Sequence, residues 1–400
     1  MMTNEELLKQ AQSLQPRLQC IRRDLHRHPE TGFDLAYTLE YVRRELEQMG
    51  LKPQACGKAG LVVCLGGKKE GKTILLRADM DALPVTEEAD VEFASEKPGF
   101  MHGCGHDMHA TMLLGAAKLL KDHEQELEGT VKLMFQPAEE IFQGAQDMID
   151  AGVLENPKVD AAMMIHVSAG MSIPSGMLLI PGGGVTMASC EQYHIRVQGK
   201  GGHGSTPHMT VDPLTAAAHI HLALQEINSR ELDPNQYGVF TTGRFQAGQT
   251  SNVIPDCAEM WGTIRTVDPT GAVGNQIKQR MEEITKGVAA AMRCTADVEF
   301  FDHCPCMLVD DSLSRKIGGF MEELMGQGAR KMHMQGGGSE DFSFVSHHVP
   351  TMSMFLTAGN TAEGFCYAQH HPKVKFDDAV LWRGSAAYAW AALRYLQDQA

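Results

Sequence analysis

Apolar positions along the chain change their spacing several times, and each change marks an element. Asn4–Met49 carries two stretches of helical period, broken by the turn-forming run Arg27-His28-Pro29-Glu30-Thr31-Gly32. Gly60–Leu65 and Lys72–Arg77 are short aliphatic runs and predict strands. Helical spacing returns over Ala110–His123, followed by a buried strand at Thr130–Phe135, a helix at Ala145–Ala151 and the apolar run Ala161–Ile165. Strand and helix alternating at this interval predict an α/β layer with a mostly parallel sheet.

The pattern shifts near Gly182-Gly183-Gly184. Glu191–Val197 alternates cleanly, a Gly-rich turn follows, and Pro213–Ile227 reads as a helix. Strand-like segments at Tyr237–Gln246 and Cys257–Thr266, a helix over Ala272–Arg293 and a strand at Thr295–Phe301 complete an α+β unit. After Cys304-Pro305-Cys306 the α/β character resumes. The expected organisation is a catalytic domain over 1–185 and 304–400, interrupted by an inserted domain over 186–303. Four hundred residues suit two cores better than one.

Composition narrows the partners. A formal charge of −15 argues against nucleic acid or an anionic membrane surface, which need clustered Lys and Arg. Met1–Gln15 is polar, without the basic and apolar regions of a signal peptide, and no apolar run approaches the ~20 residues that span a bilayer. The ten cysteines are scattered and suggest no disulfide framework, so a reducing cytoplasm is expected. Cys304-Pro305-Cys306 is not a Cys-x-x-Cys redox motif.

Chemistry concentrates in Met101-His102-Gly103-Cys104-Gly105-His106-Asp107-Met108-His109, where imidazoles, a thiol and a carboxylate lie on a Gly-rich loop entering a helix. Those are the ligand types that Zn²⁺ and similar borderline ions accept. The competing reading is a capped helix start, with Asp107 as the cap and the histidines exposed. Gln136-Pro137-Ala138-Glu139-Glu140 places two carboxylates just beyond a strand, where open α/β sheets hold ligands. Alone, such a pair is ordinary surface. Leu76–Pro84 adds Asp79 and Asp81 past another strand, and His166 ends a third apolar run.

In order and spacing these motifs resemble the amidohydrolase branch (subfamily D) of the M20 metallopeptidases, which includes hippurate hydrolases, N-acyl-amino-acid deacetylases and auxin-conjugate hydrolases. The resemblance covers Arg23–Glu30, Arg77–Pro84, Gly103–His109, Gln136–Glu140, Gly199–His208, Ser251–Pro255 and Gly338–Phe342. It implies Cys104, His106, Glu140, His166 and His370 as ligands of a divalent metal, two ions per subunit, with Cys104 able to bridge them where the wider superfamily has an acidic residue. Glu139 would be the general base and acid, and Asp81 would orient a ligand histidine. The superfamily's His-x-Asp appears as Asp79-Met80-Asp81, so that histidine is missing. His203 would complete the site, in its own or a neighbouring subunit, and Asn252 and Arg265 would bind the substrate's carboxylate.

Several alternatives stay open at this level. His371 follows His370 where the family usually has Ser, so either could be the ligand, and His109 remains a candidate. Zn²⁺, Mn²⁺, Co²⁺ and Ni²⁺ all suit the donors. The implied activity is deacylation of small N-acyl amino acids by a homodimer or higher homo-oligomer. A dipeptidase or carboxypeptidase on the same scaffold, or a metal-binding module without catalysis, are the rivals.

Overall fold

The computed structural model describes residues 2–67, 70–333 and 336–398, which fall into two units. The first comprises residues up to Gly184 together with Leu308–Met334 and Phe344 onward; the second comprises Val185–Met307 and Gln335–Ser343. The short return of 335–343 to the second unit differs from the expected division, which assigned everything after 304 to the catalytic part. Its tie is local: the Ala188 N–H donates to the carbonyls of Gly336 and Gly338, and Ser339 Oγ donates to the Ala188 carbonyl.

Among the described residues the first unit is built on eight strands: β1 (Gln54–Cys56), β2 (Gly60–Gly66), β3 (Lys72–Asp79), β4 (Gly129–Gln136), β5 (Ala161–Ser168), β6 (Leu178–Pro181), β7 (Ala329–Met332) and β8 (Thr351–Thr357). Their order is β1-β2-β4-β3-β5-β8-β6-β7. The central strands β4, β3, β5 and β8 are mutually parallel, while β2 and β6 run antiparallel to their inner neighbours. β3, β4 and β5 are almost wholly buried, which is why they read as continuous apolar runs rather than alternating ones. Strand β6 and the edge strand β7 are four residues each and too short to show a period.

Helices Asn4–Arg27, His106–Asp122 and Leu381–Gln397 pack on one another, and the latter two also on the sheet. They carry Leu18, Ile21, Leu25, Met112, Leu113, Leu120, Tyr388 and Trp390 into the core. From β3 the chain places β4 on one side and β5 on the other. The gap between the carboxyl ends of β3 and β5 is therefore a topological switch point, where a crevice forms and ligands collect in open α/β sheets.

The second unit is a four-stranded antiparallel sheet in the order 238–247, 257–266, 190–198, 295–304. Helices Pro213–Glu226 and Ala272–Ala291 pack on it over a core of Tyr193, Ile195, Ile220, Leu224, Met260, Ile277 and Met281. Asp212 caps the first of these helices through the N–H groups of Leu214 and Thr215, with Pro213 in its first turn.

Candidate metal centre and active site

Each donor in the first unit sits at the carboxyl end of a central strand or in a loop above one. His106 opens the helix His106–Asp122. The cap is not Asp107, as the capped-helix alternative required, but Gly105, in the left-handed region at φ 92°. A Cβ at Gly105 would lie 2.5 Å from Val167 Cγ2, so no side chain fits where the loop crosses β5. Asp107 turns inward to Arg22 and His26, at 2.8 and 2.7 Å, and these bring its carboxyl well below the usual range against the opposing effect of burial.

Beyond β4 the chain turns sharply at Ala138, a non-glycine residue at φ 55°. That turn delivers Glu139 and Glu140. Their backbone N–H groups donate to the Asp81 carboxylate, Glu139 to Oδ1 at 3.0 Å and Glu140 to Oδ2 at 3.2 Å. Asp81 therefore holds the Glu pair from the loop after β3, and its Oδ1 also lies 3.6 Å from His106 Nδ1. His370, at φ 67°, donates its N–H to the Gly103 carbonyl at 2.8 Å, which ties its loop to that of Cys104.

Among the donor groups that converge, two overlap at the Cys104 sulfur: Cys104, His106 and His166 in one, Cys104, Glu140 and His370 in the other; His106 also lies within reach of Glu139 and Glu140 together. Cys104 Sγ is 3.5 Å from His166 Nε2 and 3.3 Å from His370 Nε2. One sulfur and one nitrogen ligand of a tetrahedral ion stand ~3.5 Å apart, so the spacing suits shared coordination. Glu140 Oε2 is 3.7 Å from His370 Nε2, and Glu139 Oε2 and Glu140 Oε1 lie 3.9 and 3.8 Å from His106 Nε2. His371 instead stacks on Tyr367 at 4.1 Å, and its Nδ1 accepts the Lys373 N–H. His102 is buried near His26, ring centroids 6.1 Å apart, and belongs to neither group.

His109 also lies close to Asp79 and His106 as a further conceivable set, but both its nitrogens are taken. Nδ1 donates to Asp79 Oδ1 at 2.5 Å and Nε2 accepts the Val167 N–H at 2.8 Å. Asp79 is in turn bound by Arg77 Nη1 at 2.7 Å. Neither is available to an ion.

The donors fit divalent cations on physical grounds. Both His106 nitrogens and Glu140 Oε1 are buried with no hydrogen-bond partner, a deficit that costs ~1–3 kcal/mol each unless something binds there. Protonation in the protein alone reflects the same crowding. Burial, reinforced by Glu140, pushes the Cys104 thiol well above its usual value. Burial pushes Glu140 up to about 7, with Asp81 and Asp79 adding to it and His106 opposing. For His106 burial disfavours the charged form, yet Asp79 and Cys104 together raise it well above the usual imidazole value. Burial and His109 hold His166 neutral.

All three raised groups must lose protons to become ligands, so divalent metal affinity should rise with pH and collapse below about pH 7. Calorimetric titration at pH 7 in buffers of different ionisation enthalpy should report between about two and three protons released per protein, from Cys104, His106 and in part Glu140. Metal binding without proton release would contradict this site.

The second unit holds the remaining predicted residues. The strand Gly202–His203 pairs with Val253–Ile254, so His203 and Asn252 share one ribbon, with the Gly204 N–H donating to the Asn252 carbonyl. His203 Nδ1 accepts the Ser205 N–H at 3.1 Å, which puts the proton of the neutral ring on exposed Nε2. Arg265 donates to the Gly337 carbonyl and Ser339 Oγ at 3.0 and 2.8 Å. The ribbon leaves the sheet beside Cys257, eight residues down the strand from Arg265, or ~26 Å. Within one second unit, His203 and Asn252 do not converge with Arg265.

A crevice lined by buried imidazoles, a thiol and carboxylates, at the switch point of an α/β sheet, defines a metal-dependent hydrolase. The sequence profile of Peptidase family M20/M25/M40 matches residues 75–394. The Arabidopsis thaliana protein named IAA-amino acid hydrolase ILR1-like 4 is 37% identical over 383 residues, 94% of this chain and 85% of that one. An N-acetylcysteine deacetylase of Bacillus subtilis is 35% identical, covering 95% of this chain and 97% of its own. A crystal structure of a Bacillus subtilis protein, described as a dinuclear metal-binding peptidase of the M20 family, superposes with a TM-score of 0.79 at 32% identity over 96% of this chain and 99% of that one. The chain belongs to the M20/M25/M40 peptidase family and is a metal-dependent hydrolase of amide bonds.

Sequence reading missed what supports the donors. Arg77, inside an apolar strand, was the available cue: it binds Asp79 and, through Nε, Gln136 Oε1 at 2.8 Å.

Proposed function

We propose that the chain removes the acyl group from small N-acyl amino acids, using two divalent ions that Cys104, His106, Glu140, His166 and His370 would hold, Cys104 being common to two donor groups. The observation that carries this reading is Glu139. It stands beside the overlapping donor groups, is 6% exposed, and is fixed through its own N–H by Asp81. A binding module would have no use for a buried carboxylate kept there.

Bound divalent cations supply a polarised carbonyl and an acidified water. Glu139 takes the water's proton and later delivers it to the departing nitrogen. Asp81 holds the Glu139–Glu140 turn by accepting both backbone N–H groups, and faces His106 Nδ1. His203, presenting Nε2–H, donates to the developing oxyanion, and Asn252 and Arg265 bind the substrate carboxylate.

The separation of the His203–Asn252 ribbon from Arg265 favours a site completed by a second copy. The second unit has a face suited to pairing: the edge strand 238–247 leaves Val239 and Phe245 exposed, and helix Pro213–Glu226 exposes Leu214 and Leu222, the last at 67%. Leu222→Asp should convert a dimer to monomers in sedimentation; a wild type already monomeric at micromolar concentration would refute the pairing. Among the described residues no helix is long and apolar enough to cross a membrane; a cytoplasmic location is part of the proposal.

The substrate class rests on two relatives, one named for an IAA-amino acid and one for N-acetylcysteine. Amine release from N-acetyl, N-benzoyl and longer N-acyl amino acids, beside dipeptides, with Zn²⁺, Mn²⁺, Co²⁺ or Ni²⁺, tests it. Preference for dipeptides would move the assignment to a peptidase on the same scaffold. No release from any substrate would remove the catalytic reading.

A further inference from the structure

The strands that flank the candidate metal centre part just where the donors begin. Pairing of β3 with β5 runs from Ile74 opposite Ala161 to Arg77 opposite Met164, whereas β5 continues against β8 as far as Ser168. Past Met164, the β5 N–H groups have no strand acceptor on the β3 side, yet they are buried and need one. Two side chains fill the gap. Tyr388 Oη accepts the Ile165 N–H at 2.7 Å and donates to the Arg77 carbonyl at 2.7 Å. One step further along, His109 Nε2 accepts the Val167 N–H and Nδ1 donates to Asp79, the last residue of β3.

We propose that His109 is a positioning residue: its ring is inserted between β3 and β5 in place of a ladder hydrogen bond, and its width sets the opening in which the metal donors meet. Three donor-bearing segments converge on this ring. It lies one turn after His106 on the same helix, stacked at 5.3 Å, and meets His166 edge-on at 4.4 Å. Through Asp79 it holds the end of β3, from which Asp81 reaches the Glu139–Glu140 turn. Through Val167 it holds the residue after His166. Both nitrogens are committed, which fixes one tautomer and one orientation, so the ring is a spacer and not a ligand.

The inference takes from the proposed function only what the donors bind, and one arm of the test needs no metal. In the metal-free protein, ¹⁵N NMR should show His109 protonated at Nδ1 and bare at Nε2, with a slowly exchanging Val167 amide. A ring protonated at Nε2 would overturn the proposal. His109→Leu keeps bulk but removes both hydrogen bonds; His109→Gln keeps a donor and an acceptor on one planar group. His109→Leu should weaken divalent-ion binding, read by competition with a chromophoric chelator, by roughly 10–100-fold and alter the visible spectrum of the Co²⁺-loaded protein, with His109→Gln restoring much of both. Tyr388→Phe, one step farther from the donors, should lower Tm and leave the Co²⁺ spectrum unchanged. His109→Leu with wild-type affinity and spectrum would overturn the proposal, as would equal spectral changes in the His109 and Tyr388 variants. If His109→Leu does not fold, the tautomer and the His109→Gln spectrum decide. A wild type that binds no divalent ion sinks the hydrolase reading, and the tautomer alone then judges this one.

Discussion

Glu139→Gln is expected to lower kcat for amide hydrolysis by roughly 10²–10⁴-fold while leaving metal content unchanged, the loss ascribed to removing a positioned acid–base group. The substitution is nearly isosteric, and Glu139 makes its bond to Asp81 through the backbone N–H, which glutamine keeps. Structure and metal binding should therefore survive while proton transfer does not. Elemental analysis beside steady-state kinetics reads both quantities. Activity equal to that of the wild type would show that Glu139 moves no proton. A protein emptied of metal would show that it is a ligand, and the roles of Glu139 and Glu140 would have to be exchanged.

Cys104→Ala should have the second large effect. Its sulfur is the one atom common to both donor groups, so its removal takes a ligand from each. Affinity for divalent ions should fall more than the ~100-fold that losing an outer supporting partner costs, and hydrolysis should disappear at micromolar metal. Cys104→Asp, which offers two carboxylate oxygens at the same place, should recover part of both, because a carboxylate can also span two ions. Equal affinity in Cys104→Ala and wild type would leave the centre without its shared atom. The apoprotein pKa values add a control: the thiol is held well above its ordinary value, so it will not react as a thiolate until metal displaces its proton.

Much of this protein is legible in one dimension. The central strands are apolar throughout because both their faces are buried, and the second unit alternates where one face is open, so the period changes at the boundary between the two. The short strands Leu178–Pro181 and Ala329–Met332 were not legible, since four residues carry too little pattern. Nor was the return of 335–343 to the second unit, which depends on backbone hydrogen bonds to Ala188 rather than on composition.

For the site, sequence determined the inventory: which segments carry thiol, imidazole and carboxylate, and that each follows a strand or opens a helix. It left open which groups among near neighbours do what, because residues adjacent in sequence are equivalent on paper. Only the tertiary structure separated them. Backbone direction at a left-handed residue turns His370 toward Cys104, while His371 stacks on Tyr367. His106 and His109 are a single turn apart on one helix, yet the first has two buried nitrogens without partners and the second has both engaged. A side chain's chemistry is written in the sequence, but whether its lone pair is spoken for depends on hydrogen bonds made across the fold.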